Sequence, residues 1–99
     1  MITLTRSASI APGKAREAIA YAKQIAQYLR EEHGTTAEIL MPVGGNPYRI
    51  AWQIRLAGLA EVDGLSAKLN ADNEYLEMIA KNSAWVIPGS VHDDMWRTV

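Results

Sequence analysis

"TAEILMPVGGNPYRIAWQIRL", Thr36 to Leu56, is the stretch whose reading decides the fold. Two runs of alternating character flank a centre rich in proline and glycine, which is the pattern of two antiparallel strands joined by a turn. Parity then selects a register. With Leu40 opposite Ala51, Met41 meets Ile50, Ile39 meets Trp52 and Ala37 meets Ile54, all on one apolar face. Thr36, Glu38, Leu40, Arg49, Ala51, Gln53 and Arg55 take the other face, and a slip of one residue would mix the two sets. The glycines of "VGGNP" precede a strand. A phosphate cradle needs them before a helix N-terminus, so they read as a hairpin turn.

Outward from the hairpin, the first ten residues also alternate. Ile2, Leu4, Ala8 and Ile10 share one side with Arg6, and Thr3, Thr5, Ser7 and Ser9 share the other. "APGK" breaks this strand, and Pro12 suits the first turn of a helix, where its missing N–H costs nothing. From Ala15 to Leu29, apolar residues recur at spacings of three and four, which predicts an amphipathic helix. Gly34 ends it, and His33 lies in its last turn, beside the negative end of the helix dipole.

Beyond the hairpin, Ala57 to Ala84 is predicted to be helical with a break. Leu59, Val62, Leu65 and Leu69 repeat in its first part, and Tyr75, Leu76, Ile79 and Ala80 in its second. Asp72 is the N-cap expected for the second part, with Glu74 near the positive helix end. The final "WVIPGSVHDDMWRTV" reads as extended, interrupted at Pro88-Gly89. The resulting order βαββαβ is that of a ferredoxin-like α+β fold, an antiparallel sheet with helices on one face. That face is the Ile2, Leu4, Ile50, Trp52 and Ile54 side, and ninety-nine residues allow a single domain, 1–99, with one modest core.

Composition removes several functions. The formal charge is −1 and no two basic residues are adjacent, so the dense positive field needed for nucleic acid or an anionic membrane surface is missing. The chain has no cysteine, which excludes disulfides, thiolate nucleophiles and zinc–thiolate sites. No basic segment followed by an apolar run marks a signal peptide, and no apolar run is long enough for a membrane span. A cytoplasmic protein is expected.

The residue that draws attention is His92, in "VHDDMW". In an extended chain His92, Asp94 and Trp96 share one side and Asp93 points to the other. His92 and Asp94 are two ligands where a metal needs at least three, and the only other histidine is His33, so no metal is expected. A His92–Asp94 pair could serve as a general base, or it could be a polar strand segment at a dimer contact. Arg6 is polar on an apolar face. It would hold a carboxylate or phenolate if that face lines a cavity, and otherwise its stem packs while its head reaches water. Trp52 is either core or pocket wall, and Tyr21, Tyr28 and Tyr75 could rim the same space. No G-x-S-x-G element supports serine catalysis.

The opening strand followed by "PGK" (Pro12, Gly13, Lys14), the hairpin ending in "YRIAWQIRLAGLAEV" and the segment "LNADNEYLEMI" resemble the dimeric α+β barrel superfamily. Within it the chain resembles NIPSNAP-like proteins, through "PGK" and through Asp72, Glu74 and Tyr75 at the start of the last helix. Antibiotic-biosynthesis monooxygenase-like proteins share the architecture. The resemblance implies a homodimer whose sheets face each other across a barrel, with no bound cofactor. It implies a domain that binds a small apolar or aromatic ligand or acts as an interaction module. The alternative is a cofactor-free monooxygenase-like enzyme acting on a small aromatic substrate. Arg6 and His92 would then be the polar anchors, His92 the candidate catalytic group and Trp52 the wall of the site.

Overall fold

A computed structural model describes all residues, 1–99. The alternating stretches form strands β1 (Ile2–Ser9), β2 (Ala37–Leu40), β3 (Arg49–Leu56) and β4 (His92–Arg97). They pair antiparallel in the order β2-β3-β1-β4, which is the ferredoxin-like arrangement. The periodic segments form α1 (Ala15–His33), α2 (Leu59–Asn70) and α3 (Asn73–Lys81), and a 3-10 turn follows at Ser83–Trp85.

The hairpin register is the predicted one: Ala37 pairs with Ile54, Ile39 with Trp52 and Leu40 with Ala51. The Met41–Ile50 pair lies outside the ladder, because β2 stops at Leu40 and Pro42 follows, a residue with no N–H to continue it. A second difference concerns the start of α1. Pro12 and Gly13 form a turn before the helix, and Gly13 has a φ of 77°, a left-handed value that a helix cannot absorb. Gly34 behaves as expected, ending α1 at a φ of 61°. The second helical region breaks at Ala71–Asp72, and the Asp72 carboxylate caps α3 by accepting from the Tyr75 N–H.

All the helices lie on the face that carries Ile2, Ile50, Trp52 and Ile54, and the buried residues other than Ile2 form one cluster. Ala18 and Ala22 of α1 are fully buried and let the helix come close to the sheet. At the contact, the Trp52 indole N–H donates to the Ala22 carbonyl at 3.4 Å. Tyr21 meets Trp52 edge-on with ring centroids 6.1 Å apart, and Trp85 packs on both rings at 5.5 and 6.1 Å. The opposite face carries Thr3, Thr5, Glu38, Gln53, Arg55 and Trp96, and no helix covers it. Strand β4 is an edge strand and all six of its residues are exposed.

Because α1 sits on the sheet through alanines, extra bulk there cannot be accommodated without moving the helix. Ala22→Leu is expected to lower stability by about 1–3 kcal/mol, measured by urea unfolding. An unchanged midpoint would show that α1 does not bear on Trp52 in this way.

Candidate functional site

Registers across the sheet place one row of residues on the helix face: Ile39 pairs with Trp52, Trp52 with Arg6, and Arg6 with Asp93. Above the β3–β1–β4 part of this row, the sheet and the helices enclose a cavity of about 430 Å³. Sixteen of its 21 lining residues are hydrophobic, and Arg6 and Asp93 are the only charged ones. Val91, Asp93 and Met95 line it from the exposed edge, so the space opens toward β4.

Arg6 and Asp93 form a bidentate ion pair, with Nε to Oδ1 at 2.7 Å and Nη2 to Oδ2 at 2.9 Å. The Asp93 hydrogen bonds hold the guanidinium above its ordinary value, and Arg6 in turn holds the Asp93 carboxyl below the usual carboxylate range. The two side chains are 51% and 45% exposed, so the pair sits at the mouth and screening keeps its contribution to stability to roughly 1 kcal/mol or less.

Two phenols face the interior. Tyr21 from α1 and Tyr75 from α3 both line the cavity, and each is only 9% exposed. Burial pushes Tyr21 up to about 12 and raises Tyr75 as well, so both remain neutral hydroxyls. Each also senses the charge of Arg6, which brings the four groups into one neighbourhood. Neither hydroxyl hydrogen-bonds within the chain. The one side-chain polar atom that is both enclosed and unpartnered is the Trp85 indole nitrogen, so the tyrosine oxygens keep contact with open space. The Trp85 N–H, packed within the aromatic cluster, does not reach that space.

Of the residues singled out from sequence, Arg6 and Trp52 meet at this cavity and His92 does not. His92 pairs with Ser7 on the uncovered face, where its Nε2 lies 3.2 Å from Asp94 and the ring is largely exposed. Arg6, Trp52 and His92, the polar anchors and wall that the enzyme alternative would use, do not converge: Asp93 occupies the position opposite Arg6, because alternation along β4 turns its neighbours away. No group of three metal-ligating side chains forms around either residue.

A second cluster escaped the sequence reading. Asp72 accepts from the Tyr28 hydroxyl at 2.6 Å and lies 2.8 Å from His33 Nε2, besides capping α3. It joins the end of α1 to the start of α3. Tyr28 is turned away from the cavity and stacks on Tyr75, with centroids 6.3 Å apart, so this cluster positions the Tyr75 ring. The cap and the dipole were legible separately in Asp72 and His33. Their meeting was not, since 39 residues separate them.

No family model matches the chain, and no curated protein matches it. Solved structures do. An uncharacterized NIPSNAP-like domain protein from Burkholderia xenovorans superposes with a TM-score of 0.83 at 15% identity, covering 99% of this chain and 84% of that one. A NIPSNAP family protein from Agrobacterium tumefaciens gives a TM-score of 0.77 at 16% identity, over 99% and 85%. An antibiotic biosynthesis monooxygenase gives 0.75 at 11% identity, over 100% and 99%. The chain thus has the fold of NIPSNAP-like and antibiotic-biosynthesis-monooxygenase-like structures.

Asp72 is held near 2, against an ordinary 3.8, first by the Tyr28 hydrogen bond and then by His33. A depressed carboxyl contributes stability that is complete above the ordinary value and is lost as pH falls through the folded one. Stability should therefore drop between about pH 4 and pH 2, and Asp72→Asn, which can still cap the helix, should flatten that drop. Parallel pH profiles of the two proteins would refute this.

Proposed function

We propose that this chain is a binding domain for a small apolar or aromatic molecule, held between sheet and helices, and that it acts as a homodimer. The cavity carries the reading. Its volume lies in the range of small-molecule sites, its walls are apolar, and a few polar groups sit on them. Trp52 serves as a wall and Arg6, with Asp93, as the polar edge.

The titratable groups favour binding over chemistry. A general base works best with a pKa near the working pH. Asp93 is held low by Arg6, and the two phenols are pushed high by burial. Cofactor-free oxidation of a small aromatic molecule is the second reading. The fold shared with an antibiotic biosynthesis monooxygenase favours it, and it would use the same cavity.

The uncovered sheet face supports the dimer. It mixes Arg49 and Arg55 with Glu38 and Asp94, which a second copy can pair, and it ends in Trp96, 66% exposed on the edge strand. His92 and Asp94 belong to this surface in the proposed assembly, and they serve as contacts there. A cysteine-free composition suits a reducing cytoplasm.

A ligand that binds the folded state stabilises it by RT ln(1 + L/Kd), with L the free ligand concentration, so the unfolding temperature rises with that concentration. Indole and naphthalene are expected to raise it in the wild type. Ser66→Trp, which places a ring at the cavity wall, should abolish the rise, and wild type without any rise would sink the reading. Sedimentation at micromolar concentration should give a dimer, and Trp96→Lys should weaken it; a monomeric wild type contradicts the paired sheets.

A further inference from the structure

We propose that the cavity takes an uncharged, mostly apolar molecule bearing a carbonyl-type oxygen, which the hydroxyls of Tyr21 and Tyr75 bind together. This rests on the cavity being a ligand site and names what the ligand must look like. The two hydroxyls come from different helices, each on a side chain more than nine-tenths buried, and neither has a partner within the chain. Both oxygens reach the open cavity and have no protein partner, so a ligand oxygen placed there can accept from both in place of water. Both phenols stay protonated across the neutral range, so each has a proton to donate. An oxygen with two lone pairs accepts from both.

The charge of the ligand follows from the ion pair. Asp93 takes up Nε and Nη2 of Arg6 in a fork at 2.7 and 2.9 Å, and no other charged residue lines the space. The site is therefore neutral as a whole. A carboxylate ligand would have to displace Asp93 from Arg6 or lie against it, and like charges in a shared site repel. Arg6, which on sequence alone could hold a carboxylate or phenolate if its face lined a cavity, is already paired with Asp93. The skeleton of the ligand meets Trp52, Leu65 and Ile79, which offer apolar surface only. Asp72 acts as a positioning residue: it caps α3 at Tyr75 and holds Tyr28 against the Tyr75 ring.

Three probes test this by fluorescence titration: 1-tetralone, tetralin, which has the same rings without the carbonyl, and 1-naphthoate. The double variant Tyr21→Phe/Tyr75→Phe keeps both rings and removes both hydroxyls. It should bind 1-tetralone about tenfold more weakly than wild type, equivalent to ~1.4 kcal/mol, with tetralin affinity undiminished. Comparing each probe with itself across proteins cancels their difference in hydration. If the double variant does not fold, the single variants carry the test, each losing ketone affinity selectively. Wild type should bind 1-naphthoate more weakly than 1-tetralone, and Asp93→Asn, which frees Arg6, should strengthen 1-naphthoate binding.

Equal losses for ketone and hydrocarbon, or no loss for either, overturn the assignment of the oxygen while leaving the cavity a ligand site. Tighter binding of 1-naphthoate than 1-tetralone by wild type overturns the neutral-ligand assignment. If neither tetralin nor 1-tetralone binds wild type, the cavity reading falls and this inference falls with it.

Discussion

Strand pairing is the constraint from which the helix side of this protein follows. Antiparallel registers bring Ile39, Trp52, Arg6 and Asp93 into a single row across all four strands. Since side chains alternate with a period of two, shifting any strand by one residue would send its whole set to the other face. The row is apolar at the β2–β3 end, where α1 packs, and ionic at the β1–β4 end. Trp52 joins the two halves. Its ring lies against Tyr21 and Trp85, and its N–H reaches the Ala22 carbonyl of α1.

The cavity arises from an uneven fit between helices and sheet. Protein interiors normally pack to crystal-like density, leaving few voids larger than a water molecule. Here Ala18 and Ala22 bring α1 close to the sheet on one side. Over β1 and β4 the sheet offers Leu4, Ala8 and the Arg6–Asp93 pair, and the facing wall is built from four separate elements, α1, α2, α3 and the 3-10 turn. Asp72 ties α3 to the end of α1 with three hydrogen-bonding partners, which holds this wall in place. The phenols of Tyr21 and Tyr75 are left pointing into space that no side chain fills.

Such an interior suits recognition better than proton transfer. Its carboxylate is neutralised by a guanidinium, its hydroxyls are too weakly acidic to ionise near neutral pH, and its histidines lie elsewhere. His33 is committed to Asp72 and His92 to the uncovered face. That face and the cavity are separated only by the thickness of the sheet, and β4 contributes to both, through Asp93 and Met95 on one side and His92 and Trp96 on the other. A partner seated on β4 and a ligand in the cavity would therefore touch opposite sides of the same six residues.

By itself the sequence determined the elements, their order, the hairpin register and the face that receives the helices, because each is written in local periodicity. Alternation of Ile39, Ile50, Trp52 and Ile54 with charged residues leaves one good pairing, and Gly34 and Asp72 mark helix ends by their own chemistry. Alternation also separates Asp93 from His92 and Asp94, but it does not say which set faces the helices. Strand β4 has an apolar residue on either side, Met95 on one and Trp96 on the other, so its pattern carries no contrast. Only pairing with β1 decided the matter, by setting Asp93 beside Arg6. The same holds for the meeting of Tyr28, His33 and Asp72 and for the two unpartnered phenols. Those are contacts between distant segments, fixed by how helices settle on a sheet, and they leave no periodic trace in the chain that makes them.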